Sequence, residues 1–525
     1  MNLTRKHSVD YTLKALKNDN SRKLKRTLDW RNIAIMSVAM CVGAGIFSVG
    51  ARVISVYSGP SAIISFLIAG FVCLLAAMCY AEFSSVIPVT GSAYTYSYAA
   101  LGEFMAWLIG WSVILEMFLA ATVILKYWCV YLYDFFDLLG ADLSPIHIGG
   151  NGSADSGLVF DWPIPILAFV LVFLLIRGTD ISSMVANVLV VVKLIVIAVV
   201  VIMGLKYFDL ANFKPFIPAS VESVSDVSNV LHQSLFSFLL GLNPSNYGII
   251  GIFSGASVIF FAFIGFDNAA SLSEEAKDPR KNVPLGLIAG VLLVTGIYVT
   301  VAVITCGMVP YTAFAEWTAT HPDSTPSLTT AFAIHGDNNI GAIIAFGIII
   351  GLFSVILMCM LGFSRIVFAM SRDGLLPKSL SVTGKHDTPY RIQIIGGVLM
   401  TLVAAFAYAD VLDEMISIGT LFAFIVVSYS VPVFRKNGEK KFREIEKKHP
   451  ELIDEDATSG VKPFQVPFCP VFPIISGTVC LWLTMQLAVR TWLTFLIWMA
   501  IGLVIYFLYS YKHSELELHS EYIAD

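Results

Sequence analysis

Twelve apolar runs, most of them close to the ~20 residues that carry an α-helix across a hydrocarbon core, occupy the greater part of this chain. They lie near residues 32–56, 61–87, 102–135, 162–177, 182–205, 253–272, 285–308, 341–370, 392–409, 412–434, 470–489 and 491–510. Composition agrees: 57% of the residues are hydrophobic and 14% charged, where soluble domains have roughly 45–50% and 25%. Backbone in hydrocarbon must satisfy its hydrogen bonds within each span, so the expected class is an all-α membrane protein of twelve transmembrane helices.

Charge sets the expected orientation. With the N-terminus in the cytoplasm, 26 of the 33 Lys and Arg fall on the inner side. Lys206, Lys214 and Arg490 fall on the other, while Arg52, Lys126, Lys193 and Arg365 lie in or beside the spans. The positive-inside bias therefore places both termini in the cytoplasm of a multi-pass cell (plasma) membrane protein. Residues 1–31 are basic and lack an apolar core or a cleavage site, so no signal peptide is expected to be removed. The eight cysteines show neither CxxC spacing nor Cys/His grouping, which predicts no disulfide framework and no metal site. No HExxH motif or convergent nucleophile and base points to an enzyme, and no pore-loop filter or ring of charge points to a channel. Neither a cofactor nor a nucleic-acid partner is implied.

Two spans are interrupted. "VGAGIF" (42–47) and "FIGFDNAA" (263–270) put glycines or a polar pair where a membrane helix should be uniformly apolar. Glycine weakens a helix by ~1 kcal/mol relative to alanine and tolerates unwound backbone. The two breaks are five segments apart, an odd number, so a second copy of a five-helix unit would start from the opposite face. Segments 1–5 (32–205) and 6–10 (253–434) are nearly equal in length. The pattern predicts a 5+5 inverted repeat with broken helices 1 and 6, as in many secondary transporters. The other reading of the glycines is close packing through small-xxx-small contacts. Around the repeats lie a cytoplasmic tail (1–31), an extracellular loop (206–252), a charged cytoplasmic loop (435–467), two extra C-terminal helices (468–510) and a cytoplasmic tail (511–525). Broken helices suit a zwitterion. Freed N–H groups and a positive dipole end bind a carboxylate, and freed carbonyls bind an ammonium. Gly43, Ala44, Gly45 and Ile46 are candidates for the carboxylate, and the carbonyls of Phe261, Ala262 and Ile264 for the amine of an amino acid.

"VGAGIF", "GSAYTYSYAALGE" (91–103), "FFAFIGFDNAASLSEEAKDPRKNVPLG" (260–286) and "RIVFAMSRDGLLP" (365–377) resemble helices 1, 3, 6 and 8 of bacterial cationic amino acid transporter (CAT)-like permeases. These belong to the amino acid, polyamine and organocation (APC) superfamily. The likeness runs from about residue 28 to 434 and more weakly beyond. It implies the five-plus-five fold with alternating access, and it implies that Lys193 stands where sodium-coupled relatives bind a cation. A lysine among backbone dipoles can release and take up a proton as the cavity opens to alternate sides. A permanently charged structural peg is the other reading.

Glu116 is expected either to face the cavity and read a polar side chain or to partner another helix. Lys126 is expected to snorkel outward. Asp267 is read as holding the unwound backbone or an inner gate, and Arg365 as a gate residue, with Arg365, Arg372 and Asp373 placed to pair with Glu274, Glu275 or Asp278. Side-chain selectivity is assigned to Phe47, Phe260, Phe266 and the run Met358, Cys359, Met360, although such residues at helical spacing commonly serve packing. A large apolar wall favours neutral substrates, whereas the family resemblance suggests cationic ones. The expected function is secondary active amino acid transport with proton coupling, in a lipid bilayer. An amino acid or polyamine exchanger and a non-transporting sensor would share the same site.

Overall fold

The computed structural model describes residues 28–43, 45–86, 92–141, 143–148, 158–222, 231–242, 245–270, 273, 276–320, 326–384, 388–406, 409–437 and 463–514. Expectations for the N-terminal tail up to residue 27, for Ala44, Glu274 and Glu275, for 438–462 of the charged loop and for the tail from 515 lie outside these residues. The principal helices are α1 (Trp30–Cys41), α2 (Ala62–Val86), α3 (Glu103–Leu138), α4 (Pro163–Arg177), α5 (Thr179–Gly204), α6 (Gly248–Ile259), α7 (Pro279–Met308), α8 (Asn338–Arg372), α9 (Tyr390–Phe406), α10 (Ala409–Asn437), α11 (Val471–Met485) and α12 (Val489–Ile505). Among the described residues the strands are two short antiparallel pairs in connecting segments, β1 (Ile146–Ile148) with β2 (Leu158–Phe160) and β3 (Val221–Glu222) with β4 (Ser245–Asn246).

Local chemistry starts and stops these helices. The Asp29 side chain caps α1 by accepting from the Asn32 N–H at 3.0 Å. Pro163 opens α4, where its missing N–H costs nothing, and Gly178 at φ 124 turns the chain directly into α5. Gly59, at φ 59, similarly supports the tight turn Gly59–Ser61 that joins the end of the first span to α2 with no loop between them.

Among the described residues, seven helical stretches are long and apolar enough to cross a membrane, and four shorter helices are also apolar. Their outward faces carry large aliphatic and aromatic side chains, such as Phe169 on α4 at 73% exposure and Ile202 on α5 at 65%. Water would penalise so large a contiguous apolar surface; lipid tails do not. The chain is thus a multi-pass, helical membrane protein. Inside, α7 lies along α1 and α2, and α6 packs on α2. Opposite them α3 is nearly enclosed by α8 and α10, with α9 on α4 and α5 on α8. Two helix groups therefore face each other, and the interrupted helices lie in the first group, at the seam.

Candidate functional site

Both breaks form where the glycines predicted them. α1 ends at Cys41, Val42 is extended, and helix resumes in wide π-type turns at Gly45–Val49. α6 tightens into a 3₁₀ turn at Phe260–Phe263, opens at extended Ile264 and at Gly265 with φ 115, and resumes at Phe266–Ala270. The breaks press on one another. A Cβ at Gly45 would run into the Cα of Ala262, and one at Gly265 would lie 2.9 Å from the Cβ of Met40. Side chains at either position would force the two interrupted helices apart.

Three side chains hold this contact. The Tyr298 hydroxyl on α7 lies 2.6 Å from the carbonyl oxygens of both Cys41 and Ala262, spanning the two breaks. The Cys41 thiol donates to the Phe263 carbonyl at 3.4 Å. Asp267 accepts the Gly265 N–H at 3.3 Å, so its carboxylate sits against the unwound backbone. Tyr298 went unpredicted; its one signal is a phenol standing alone in the aliphatic run of "GIYVTV". Because it engages the Ala262 carbonyl, and the Ile264 N–H donates to Phe261 at 3.3 Å, two of the three carbonyls expected to serve a substrate amine already carry a hydrogen bond.

Lys193 on α5 is 1% exposed, and its ammonium donates to the Ala39 carbonyl at 2.8 Å. Ala39 lies in the last turn of α1, where free carbonyls and the negative dipole end suit a cation. The lysine stem runs against Gly351 of α8, where a Cβ would lie 2.9 Å from its Cγ. One side chain thus ties the end of α1 to α5 and α8.

The breaks border a cavity of about 20 Å³, room for one or two waters. α1 and its continuation contribute Met40, Cys41, Gly43 and Gly45; the α6 break contributes Phe261 and Ile264. Ala120 and Ile124 of α3 and Val355 and Cys359 of α8 close the opposite side. Of the expected binding residues, Gly43, Gly45, Phe261 and Ile264 are brought together here. Ile46, Ala262 and Phe266 are buried beside the cavity without lining it, Phe266 meeting Tyr80 and Phe424 at ring separations of 6.1 and 5.1 Å. Ala44 lies outside the described residues. On α8 the cavity takes Val355 and Cys359, four residues apart on one face, whereas Met360 turns toward Gly397 of α9 and Met358 is half-buried.

Glu116 is 1% exposed and sits one turn along α3 from Ala120, outside the cavity lining, with its Cβ close to Gly419 of α10. Among the described residues its Oε1 has no hydrogen-bond partner. Lys126 does not snorkel: it pairs with Asp161, which also accepts from the Tyr133 hydroxyl at 3.1 Å. Asp161 lies just before α4, far enough in sequence to escape a helix-by-helix reading. Arg365 is exposed, and Arg372 lies 3.6 Å from Asp373, which accepts from Tyr94 at 2.8 Å.

Two interrupted helices seated on each other at a small cavity are an arrangement found in many secondary transporters. Comparison with known proteins agrees. The amino acid permease family model matches residues 28–509. The chain is 36% identical to a methylthioribose transporter of Bacillus subtilis (strain 168), over 94% of this chain and 95% of that protein. It is 36% identical to the branched-chain amino acid permease BcaP of the same organism, over 98% of each. It is 32% identical to the vacuolar cationic amino acid transporter 2 of Arabidopsis thaliana, over 82% of this chain and 63% of that protein. The chain belongs to the amino acid permease family, within the APC superfamily.

Proposed function

We propose that this protein is a secondary active transporter that moves amino acids across the cell membrane by alternating access, coupled to protons through Lys193. The observation that carries the reading is the bond from Lys193 to the carbonyl end of α1, one turn from the break that borders the cavity. A charged lysine holds α1 against α5 and α8; a neutral one releases the Ala39 carbonyl and lets the first helix group rock against the second. In this reading the twelve helices form the 5+5 inverted repeat (32–205 and 253–434) with two helices added, and both termini are cytoplasmic. Asp267 steadies the unwound turn, and Arg365 belongs to the inner gate. The relatives are named as transporters and permeases, which supports transport over sensing.

Uptake of a panel of labelled amino acids into proteoliposomes, with and without an inward proton gradient, tests this. Gradient-driven accumulation is expected in the wild type. Lys193→Ala is expected to lose accumulation down to the level seen without a gradient. Exchange indifferent to pH in both proteins would replace the coupling role with that of an exchanger. Binding without flux would replace transport with sensing.

A further inference from the structure

The relatives' names disagree about cargo: branched-chain amino acids, cationic amino acids and methylthioribose. The cavity offers a physical basis for choosing. Building on the transporter reading above, we propose that the substrates are neutral aliphatic L-amino acids, and that Val355 and Ile124 set the permitted side-chain size.

The lining divides into two halves with different chemistry. On one side, the breaks at Gly43, Gly45 and Ile264 present backbone groups that suit the charged ends shared by every amino acid. On the other, Ala120, Ile124, Val355 and Cys359 meet the part that differs, and none of the four carries a charge, an amide or an alcohol. A lysine or arginine side chain would bring its cation to four lining residues that carry no anion, an expensive burial. Lys193 adds a positive charge beside this wall. Lys193 runs along Gly351, one helical turn from Val355, and its ammonium sits on Ala39, one turn before Gly43. Glu116, the nearby acid on α3, lies outside the lining and against α10.

Size follows from Val355. A Cβ at Gly43 would stand 3.0 Å from its Cγ2, so the isopropyl group points straight at the first break and limits the depth available beyond the substrate Cα.

The experiment uses the full-length protein in proteoliposomes, measuring uptake of labelled valine, leucine, phenylalanine and arginine. Wild type is expected to favour valine and leucine over arginine in kcat/KM by at least about tenfold. Val355→Ala is expected to raise the phenylalanine-to-valine ratio by about tenfold, the scale on which hydrophobic pockets discriminate. Ile124→Ala supplies a second test of the same wall should the first variant fold poorly. A wild type that prefers arginine overturns the substrate assignment and leaves amino acid transport standing. An aliphatic preference that neither variant shifts overturns the role of the wall. Absence of amino acid flux in the wild type overturns both this assignment and the transporter reading.

Discussion

At the scale of single residues, the site depends on atoms that are missing as much as on those present. Gly45 exists so that Ala262 can approach, and Gly265 so that Met40 can. Gly45→Ala should cost about 1–3 kcal/mol, the usual penalty of overpacking a close contact, because the clashing atom is backbone and cannot rotate away. A thermal unfolding scan in detergent checks it, with a lowered midpoint expected and an unchanged midpoint contradicting the packing described. That these glycines matter was legible in "VGAGIF" and "FIGFDNAA"; what each glycine touches was not, since Gly45 and Ala262 lie more than two hundred residues apart. Tyr298 escaped the sequence for the same reason. A phenol in an apolar helix needs a partner, but no local pattern names the two carbonyls it spans.

Whole elements are joined by a buried ion pair that the sequence did not suggest. Arg435, in the last turn of α10, grips Glu82 of α2 through two hydrogen bonds of 2.6 Å. It also donates to the Val466 carbonyl at 2.8 Å, while the Val466 N–H donates back to Glu82 at 2.7 Å. The clamp fastens α2, α10 and the segment leading into α11 at one end of the bundle. Arg435→Ala leaves a carboxylate buried and unpaired, which should destabilise the fold by about 3–5 kcal/mol. Arg435→Lys keeps the charge but loses the two-pronged geometry and should fall between. Chemical or thermal unfolding of the three proteins ranks them; equal stability of Arg435→Ala and wild type would contradict the clamp. Arg435 and Glu82 were visible as charges near apolar runs, yet pairing across 353 residues has no signature along the chain.

For the molecule as a whole, the testable property is orientation. The eight cysteines are buried apart from partly buried Cys469, so the native chain gives little background to a membrane-impermeant thiol reagent. Lys214 and Lys378 are exposed in connections that the positive-inside reading assigns to opposite faces. In intact cells, a Cys469→Ser chain carrying Lys214→Cys should label fully. The same chain carrying Lys378→Cys should label only after permeabilisation. The reverse result would invert the topology.

What the sequence determined by itself had a local cause. The two breaks follow from glycine in the helix interior, and the membrane class from composition and from apolar helices of spanning length. Only the tertiary structure decided which face of each helix met which neighbour. It turned Val355 and Cys359 toward the cavity and Met360 toward α9, gave Lys126 to Asp161, and set Lys193 on Ala39. A helix apolar on every side carries no stripe to fix its rotation about its own axis. That rotation comes from packing between segments distant in the chain, and packing is where the site is made.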